Sequence, residues 1–561
     1  SVSTGIENTL IGGGVGASLT SGSYNVAIGR SALATEDGHG KNIAIGYKAL
    51  YDQNAGADAF NVAVGHQAGE NVTSGIYNTL IGGKAGDALT TGNANIAIGQ
   101  DALGAEDTGS DSIAIGRNAL AAQNYNGSAY NIGIGRAAGK EVTTGIYNTL
   151  IGGNAGDALT TGARNVAIGF NALTTEDGNG YTVAVGYEAL KTQNAGATSY
   201  NVAMGYQAGL SLSTAIRSTL VGGSAGANIT TGQENTFIGY TAGSNTTIGN
   251  KNVAIGGEAM TTNVAADCNV AVGLEALKAM TSAVTADTFN TAVGYRAGLS
   301  VTTGVRNTIL GGLAGDALTT GGRNIAIGYS ALSTEDAGSY NTAIGYNALR
   351  DQDAGDAYNT AVGYNAGVSV STGVRNTIIG GLAGDALTTG SDNIAIGYAA
   401  LSSSDTGSRT VAIGSYALED QNPTGSDYFY NVAIGYTAGR DITTGTNNTL
   451  IGGLAGDALT TGYGNVAIGY NALSAEDTGG TNVAIGHAAL QVQDAGANAY
   501  NIAIGYDAAK AITTGTHNTI IGGDAGKALN SGGGNVAIGT EALSTEDGHG
   551  RNIAIGVNAL K

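Results

Sequence analysis

The sequence predicts an all-β chain folded as a parallel β-solenoid (β-roll) of about 17 residues per coil and about 32 coils. Three observations carry this expectation. The motif Asn25-Val26-Ala27-Ile28-Gly29, with Ala32 three residues on, recurs from one end of the chain to the other. Its copies start mostly 17 residues apart and otherwise 18 to 21. The composition, with 96 Gly in 561 residues, one Pro and no Trp, fits neither collagen, which needs Gly at every third position, nor a disordered chain, which lacks recurring Val and Ile. A strict short period sustained over a whole chain marks an architecture in which each repeat is one turn stacked on its neighbours.

With the motif Asn as position 0, the copies define what each position admits. Position 4 is Gly throughout, and position 7 is Ala except at Val15. Position 0 is Asn except at Ser112, Thr182, Ser218 and Thr410, and position 3 is Ile or Val except at Met204 and Leu310. The alternation Val26, Ala27, Ile28 is the period-2 pattern of a strand with two unlike faces. A strand of about five residues per coil follows, closed by a bend that only Gly takes without strain. The repeat core is assigned to Asn25, Val26, Ile28, Gly29 and Ala32, and in later copies to Asn61, Val64, Gly65, Asn341, Ile344, Gly345 and Ala348. Large residues are expected to face inward. The small residues Ala27 and Ala32 then either admit a neighbouring chain or line a tight coil interior.

The coils are of four kinds that cycle with a period of about 70 residues, so residues 1–561 read as a single continuous repeat array of four-coil units. The first kind, at Asn8 or Asn78, carries a double Gly and a tail such as Asp87-Ala88-Leu89. The second, at Asn25 or Asn95, has an acidic loop such as Glu36-Asp37. The third, at Asn42 or Ser112, is usually longer, with a loop such as Asp52-Gln53-Asn54. The fourth, at Asn61 or Asn131, returns to an apolar residue at position 11, as in Val72. Leu89, Val72 and Leu159 at position 11 suit a core, whereas Glu36, Glu106 and Glu176 at the same position are expected in projecting loops. The zone 235–290 is irregular, with one extra coil at Asn252 that should leave the stacking undisturbed.

A formal charge of −20 argues against nucleic acid, because a phosphate-binding surface needs stripes of Lys and Arg. No run approaches 18 unbroken apolar residues and no charged-then-apolar leader opens the chain, so no membrane insertion is expected. The single Cys268 excludes an internal disulfide.

The motif Asn-Val-Ala-Ile-Gly resembles the head repeats of trimeric autotransporter adhesins, which carry Ser-Val-Ala-Ile-Gly. Asn341-Thr342-Ala343-Ile344-Gly345-Tyr346-Asn347-Ala348-Leu349 is closer still to the repeats of phage-type tail-fibre proteins. The resemblance covers the whole chain. It implies a homotrimeric attachment fibre that is extracellular, on a virion, an injection device or a cell surface, and that meets a cell-surface glycan or protein receptor. The repeat is longer than that of the autotransporters, and neither a coiled-coil stalk, a membrane barrel nor a tail-fibre chaperone domain is visible.

Catalytic and cofactor constellations are not evident, and no enzymatic role is expected. His39, His66, His487, His517 and His549 are scattered without metal-ligand spacing. The acidic pairs Glu36-Asp37 and Glu176-Asp177 are candidate surface ligand contacts, with calcium the cation they would suit, but the calcium-roll pattern Gly-Gly-x-Gly-x-Asp is missing. Tyr47, Tyr187 and Tyr346 at position 5 form a row suited to stacking on sugars, or to packing along the strand edge. Thr pairs raise an ice-binding role, interrupted because they fall mainly in two coil kinds of four. Neither end carries a polar cap, so flanking domains or end-to-end self-association is expected to cover the terminal coils. The reading is therefore a non-enzymatic fibrous attachment protein; the alternatives are an extracellular filament or matrix protein formed of the rod itself, and a glycan- or ice-binding rod.

Overall fold

The computed structural model describes residues 2–281, 286–422 and 428–561. The chain packs as two compact units, Ser1–Asp287 and Thr288–Lys561. In the first, sixteen three-residue strands run from Thr9–Ile11 to Val270–Val272. Successive strands pair in parallel with like positions opposite one another, as in Leu10↔Ala27, Ala27↔Ala44 and Ala44↔Ala63. The extra coil keeps this register, with Thr236 opposite Val253 and Val253 opposite Val270. A short second pairing joins Ala266–Asp267 to Ala286–Asp287. In the second unit sixteen strands run from Thr291–Val293 to Ile553–Ile555 with the same register, as in Ile309↔Ala326. Each unit is thus a parallel β-solenoid, and the described residues hold no helix.

The strands have three residues rather than the five the alternation suggested, and the rest of each coil is turns. Left-handed residues cut the strands short. Tyr24, Ser31 and Leu33 stand at φ of 62°, 58° and 50°, positions −1, 6 and 8 of one coil, and the same positions recur along both units. Such conformations cost a non-Gly residue roughly 1–2 kcal/mol and persist only where the surroundings over-determine them. Here the ladder does so. Tyr24 N–H donates to the preceding coil at Ile6 O (3.1 Å), and Leu33 N–H to the following coil at Ala49 O (3.0 Å). At position 4, Gly29 has φ of 130°, and a Cβ there would meet Gly46 O of the next coil at 2.4 Å. Both the dihedral and the stacking therefore require Gly, as the sequence indicated.

The facing of the strand reverses the expectation. Ala27 and Ala32 are fully buried, while Val26 and Ile28 are half-exposed, and Val64 and Ile344 repeat this. The small residues line the coil interior and the large ones look outward. The interior is narrow, and leucines supplied from elsewhere in the coil already fill it. First-kind coils put Leu10 or Leu80 at position 2 and Gly at position 8; a Cβ on Gly86 would lie 2.8 Å from Leu80 Cδ2. Second- and third-kind coils invert this, with Ala27 and Ala44 at position 2 and buried Leu33 and Leu50 at position 8. Fourth-kind coils are usually small at both positions, and their neighbours fill the space: a Cβ on Gly69 would meet Leu80 Cδ1 at 2.6 Å and Leu50 Cδ2 at 3.1 Å. At native packing density, a larger residue at position 2 of these coils would have nowhere to go.

Position 0 explains itself in the same frame. Asn25 Oδ1 accepts from Asn42 N–H at 3.0 Å, and Asn8 Oδ1 from Asn25 N–H at 2.9 Å, so the amides form a ladder along the solenoid. The Nδ2 end bonds a carbonyl at the coil's closing turn, as Asn78 does to Gly92 O at 2.9 Å. Asn61 and Asn341, buried like Asn25, hold the same place.

Candidate functional site

Two features of the coil have functional potential: a row of polar groups inside it and an apolar surface outside it. The inner row corrects the assignment of the acidic residues. Position 11 points inward in all four coil kinds, so Leu19, Glu36, Gln53 and Val72 are all fully buried, as are Glu106 and Glu176. Glu36 and Glu176 are therefore interior residues and not surface contacts, while Asp37 and Asp177 beside them are exposed.

The buried carboxylates are held by donors from their own loop and from the next coil. Glu106 Oε1 accepts from Gly109 N–H at 2.7 Å, and Oε2 from Gln123 Nε2 at 3.0 Å. Glu176 repeats the second bond with Gln193 at 3.0 Å, and Glu476 with Gln493 at 2.7 Å. Gln123 Oε1 in turn accepts from Asn131 Nδ2 at 2.9 Å. A Glu–Gln–Asn relay thus crosses three coils. Burial raises the carboxyl pKa of Glu36, Glu106 and Glu476. It pushes Glu335, whose Oε2 lacks a donor, up to about 7.

Some of these acids lie close enough to others to hold a cation. Glu335, Asp336 and Asp353 each bring one ligand atom within 4.8 Å of the others, as do Glu476, Asp477 and Asp494, and the groups Glu36-Asp37-His39 and Glu546-Asp547-His549. Calcium takes six to eight oxygens, and each group offers three side chains. Glu476 already spends one oxygen on Gly479 N–H at 2.7 Å and the other on Gln493. At Glu476 the donor set thus fits a hydrogen-bonded floor better than a calcium cage, whereas Glu36 and Glu335 each keep one buried carboxylate oxygen without a hydrogen-bond donor.

The outer surface is apolar. Val26 and Ile28 and their equivalents form two columns, and several members, such as Ile43, Ile81 and Ile238, are 37% exposed. Rows of rings flank the columns. At position 5, Phe170, Tyr187 and Tyr206 stack with centroids 5.9 and 5.4 Å apart, as do Tyr329, Tyr346 and Tyr364 at 5.7 and 5.4 Å. At position −1, Tyr130 stacks on Tyr147 at 5.5 Å with 5° between the planes. Three histidines sit in these rows: His66 stacks on Tyr47 at 5.1 Å, His487 on Tyr506 at 4.9 Å, and His517 on Tyr500 at 5.2 Å. The remaining two pair with glutamates, His39 with Glu36 and His549 with Glu546. Because each ring face meets the next ring, the rows of Tyr47, Tyr187 and Tyr346 present mainly edges and hydroxyls outward.

The facing of positions 1 and 3 was the feature that sequence reasoning missed. A signal was present at position 2, where first-kind coils carry Leu10, Leu80, Leu150 and Leu220 together with Gly at position 8, while second- and third-kind coils carry Ala at position 2 with Leu33 or Leu50 at position 8. Among the described residues, the depressions are shallow and polar, such as one of about 370 Å³ lined by Gln233, Glu234, Lys251, Asp267 and Cys268. No helix of the described residues is long and apolar enough to cross a membrane. No family model matches the chain, and no curated protein matches it.

Proposed function

We propose that this chain is a non-enzymatic fibrous attachment protein, the shaft or head of a tail fibre or surface adhesin, in which several copies, three by the resemblance of the repeats, form one extracellular rod. The observation that supports the reading is the coil-on-coil ladder within each unit, which spends its polar groups on its own stacking. Asn side chains, the loop carboxylates of Glu106, Glu176 and Glu476, and backbone amides bond to the neighbouring coil. Such a chain converts length into reach. At about 4.8 Å per coil, a unit of sixteen coils extends roughly 75 Å.

An extracellular filament formed of the rod itself is the second reading, favoured by an outward apolar face that recurs in every coil. A test separates the two. The purified chain, fluorescently labelled, is imaged by electron microscopy and then offered to intact bacterial cells and to a glycan array. Rods of uniform width that bind a subset of cells or glycans support attachment. Rods that bind none and grow laterally without limit support the filament. Compact particles without a long axis would remove both.

A further inference from the structure

The acidic loops of the second-kind coils share one design, and the first of them departs from it. In three of these loops the Gln of the next coil meets the buried carboxylate: Gln123 Nε2 lies 3.0 Å from Glu106 Oε2, Gln193 3.0 Å from Glu176 and Gln493 2.7 Å from Glu476. The corresponding Gln53 turns away and donates to Thr73 O at 3.1 Å. Glu36 Oε2 is left without a donor, on a side chain that is fully buried. His39 stands beside it, and its Nδ1, also screened from solvent, has no hydrogen-bond partner. The 3.6 Å from Nδ1 to Glu36 Oε1 is too long for one.

We infer that the loop Glu36-Asp37-Gly38-His39 is a binding site for a first-row divalent metal ion of the zinc class, held by Glu36, Asp37 and His39. The inference goes beyond the proposed function and holds for an attachment fibre or a filament alike.

The two orphan atoms are of matching chemistry. A carboxylate oxygen and a bare imidazole nitrogen are both acceptors, so they are satisfied only by something positive. A buried polar atom left without a partner costs about 1–3 kcal/mol. A proton on Nδ1 would serve Oε1 and leave Oε2 as it is. The last acidic loop shows that arrangement, because Glu546-Asp547-Gly548-His549 repeats the same residues with His549 Nδ1 2.7 Å from Glu546 Oε1. There the carboxylate reaches water, with the Glu546 side chain 24% exposed. Glu36 has no such outlet, and a cation supplies what the missing amide does not.

The geometry suits one ion. A ligand atom from each of Glu36, Asp37 and His39 lies within 4.8 Å of the other two. Ligands of one tetrahedral zinc stand roughly 3.5 Å apart, so small side-chain rotations close the set. The backbone that carries them is already fixed. Asp37 O accepts from Thr20 N–H at 2.7 Å and from Thr20 Oγ1 at 2.9 Å, and His39 O from Asn25 Nδ2 at 3.3 Å. Asp37 is exposed, which leaves the ion a way in from solvent and an open position for water.

The imidazole selects the class of metal. Calcium and magnesium take oxygen ligands, whereas one imidazole with two carboxylates suits zinc and its neighbours. Glu335 Oε2 also lacks a donor, but its neighbours Asp336 and Asp353 are carboxylates alone. The loop at Glu176 is the natural control. It has Asn179 where the first loop has His39, and Asn179 Nδ2 donates to Glu176 Oε1 at 2.9 Å while Gln193 takes Oε2. With Asn at this place the carboxylate is fully satisfied by the protein.

The experiment compares two full-length chains without a purification tag, His549→Asn and the double variant His39→Asn/His549→Asn. Each is dialysed against about 10 µM zinc chloride near neutral pH, bound metal is counted by mass spectrometry, and folding is read by circular dichroism. The first chain should retain one zinc more than the second, with at least a tenfold loss of affinity at this site, and calcium should show no such difference. Should the double variant fail to fold, hydrogen exchange of the unsubstituted chain is read instead, and zinc should slow exchange across Glu36–His39. No zinc on the first chain, or no added protection in that loop, would overturn the inference and mean that Gln53 swings back onto Glu36. Equal zinc on the two folded chains would overturn it as well, by placing the metal elsewhere. Calcium retained in the same proportion as zinc would overturn the assigned class of metal.

Discussion

Gln123 Nε2 lies 3.0 Å from Glu106 Oε2, and the bond joins two successive coils inside the solenoid, where both side chains are fully buried. The other end of the same amide accepts from Asn131 in the coil beyond. A buried carboxylate whose donor is removed retains its desolvation cost without compensation. Gln123→Leu should therefore cost about 2–4 kcal/mol. Because solenoids open locally, the loss should appear as faster hydrogen exchange confined to the coils around Ser112 and Asn131. Unchanged protection there would mean that the relay contributes nothing.

The carboxyls predict a dependence on pH with a definite sign. Glu335 is pushed up to about 7 from an ordinary value near 4.5, and burial raises Glu36, Glu106 and Glu476 as well. A raised folded-state pKa means that the folded chain binds the proton more tightly than the unfolded one. That stabilisation is complete below about 4.5 and is lost as pH rises through about 7. The melting temperature should fall between pH 5 and pH 8, and Glu335→Gln should flatten part of that fall and raise the melting temperature at pH 8. A melting temperature that climbs over this range would contradict the buried placement.

The facing of the strand gives a paired test. Ala114→Leu forces bulk into the filled interior and should cost about 3 kcal/mol or more, with loss of the neighbouring coils. Ile115→Thr, one residue on and outward, should change the stability of a single chain by less than about 1 kcal/mol. Thermal melting of dilute protein separates the two, and the reverse order would restore the inward assignment of position 3.

The position-4 glycine should tolerate no side chain. Gly116 has φ of 133°, and a Cβ there would approach Gly135 O to 2.4 Å. Gly116→Ala combines a strained dihedral with a clash against backbone, and a cost above about 2 kcal/mol is expected. A melting curve within one degree of wild type would refute this.

The period, the coil and the special status of Asn25 and Gly29 were legible because each can be read from one residue compared with its own copies. The direction of the faces was not. Alternation in Val26-Ala27-Ile28 shows that the faces differ, and the habit of putting large apolar residues inside then selects the wrong one. The interior volume that decides the matter is set by Leu33, Leu50 and Leu80, which lie outside the strand or in other coils. Glu36 was misplaced by a similar habit. Its position is shared with Leu19 and Gln53, and that equivalence was the available clue to burial. The left-handed Tyr24 and Leu33 left no mark in residue type, because the hydrogen bonds of the stack impose their conformation.

The Leu-and-Gly exchange between positions 2 and 8 also bears on how such a chain changes length. Near-identical repeats in a gene recombine out of step, adding or deleting segments. Whole four-coil units can be gained or lost without penalty, because each carries its own sequence of bulges and hollows and ends where the next begins. A single foreign coil has to bring its complement with it. The irregular zone shows such a case: Phe237 fills position 2 of one coil, Gly243 vacates position 8, and the adjoining coil carries Ala254 with Met260. Length can therefore change in discrete steps of four coils, while the cross-section of the coil stays constant.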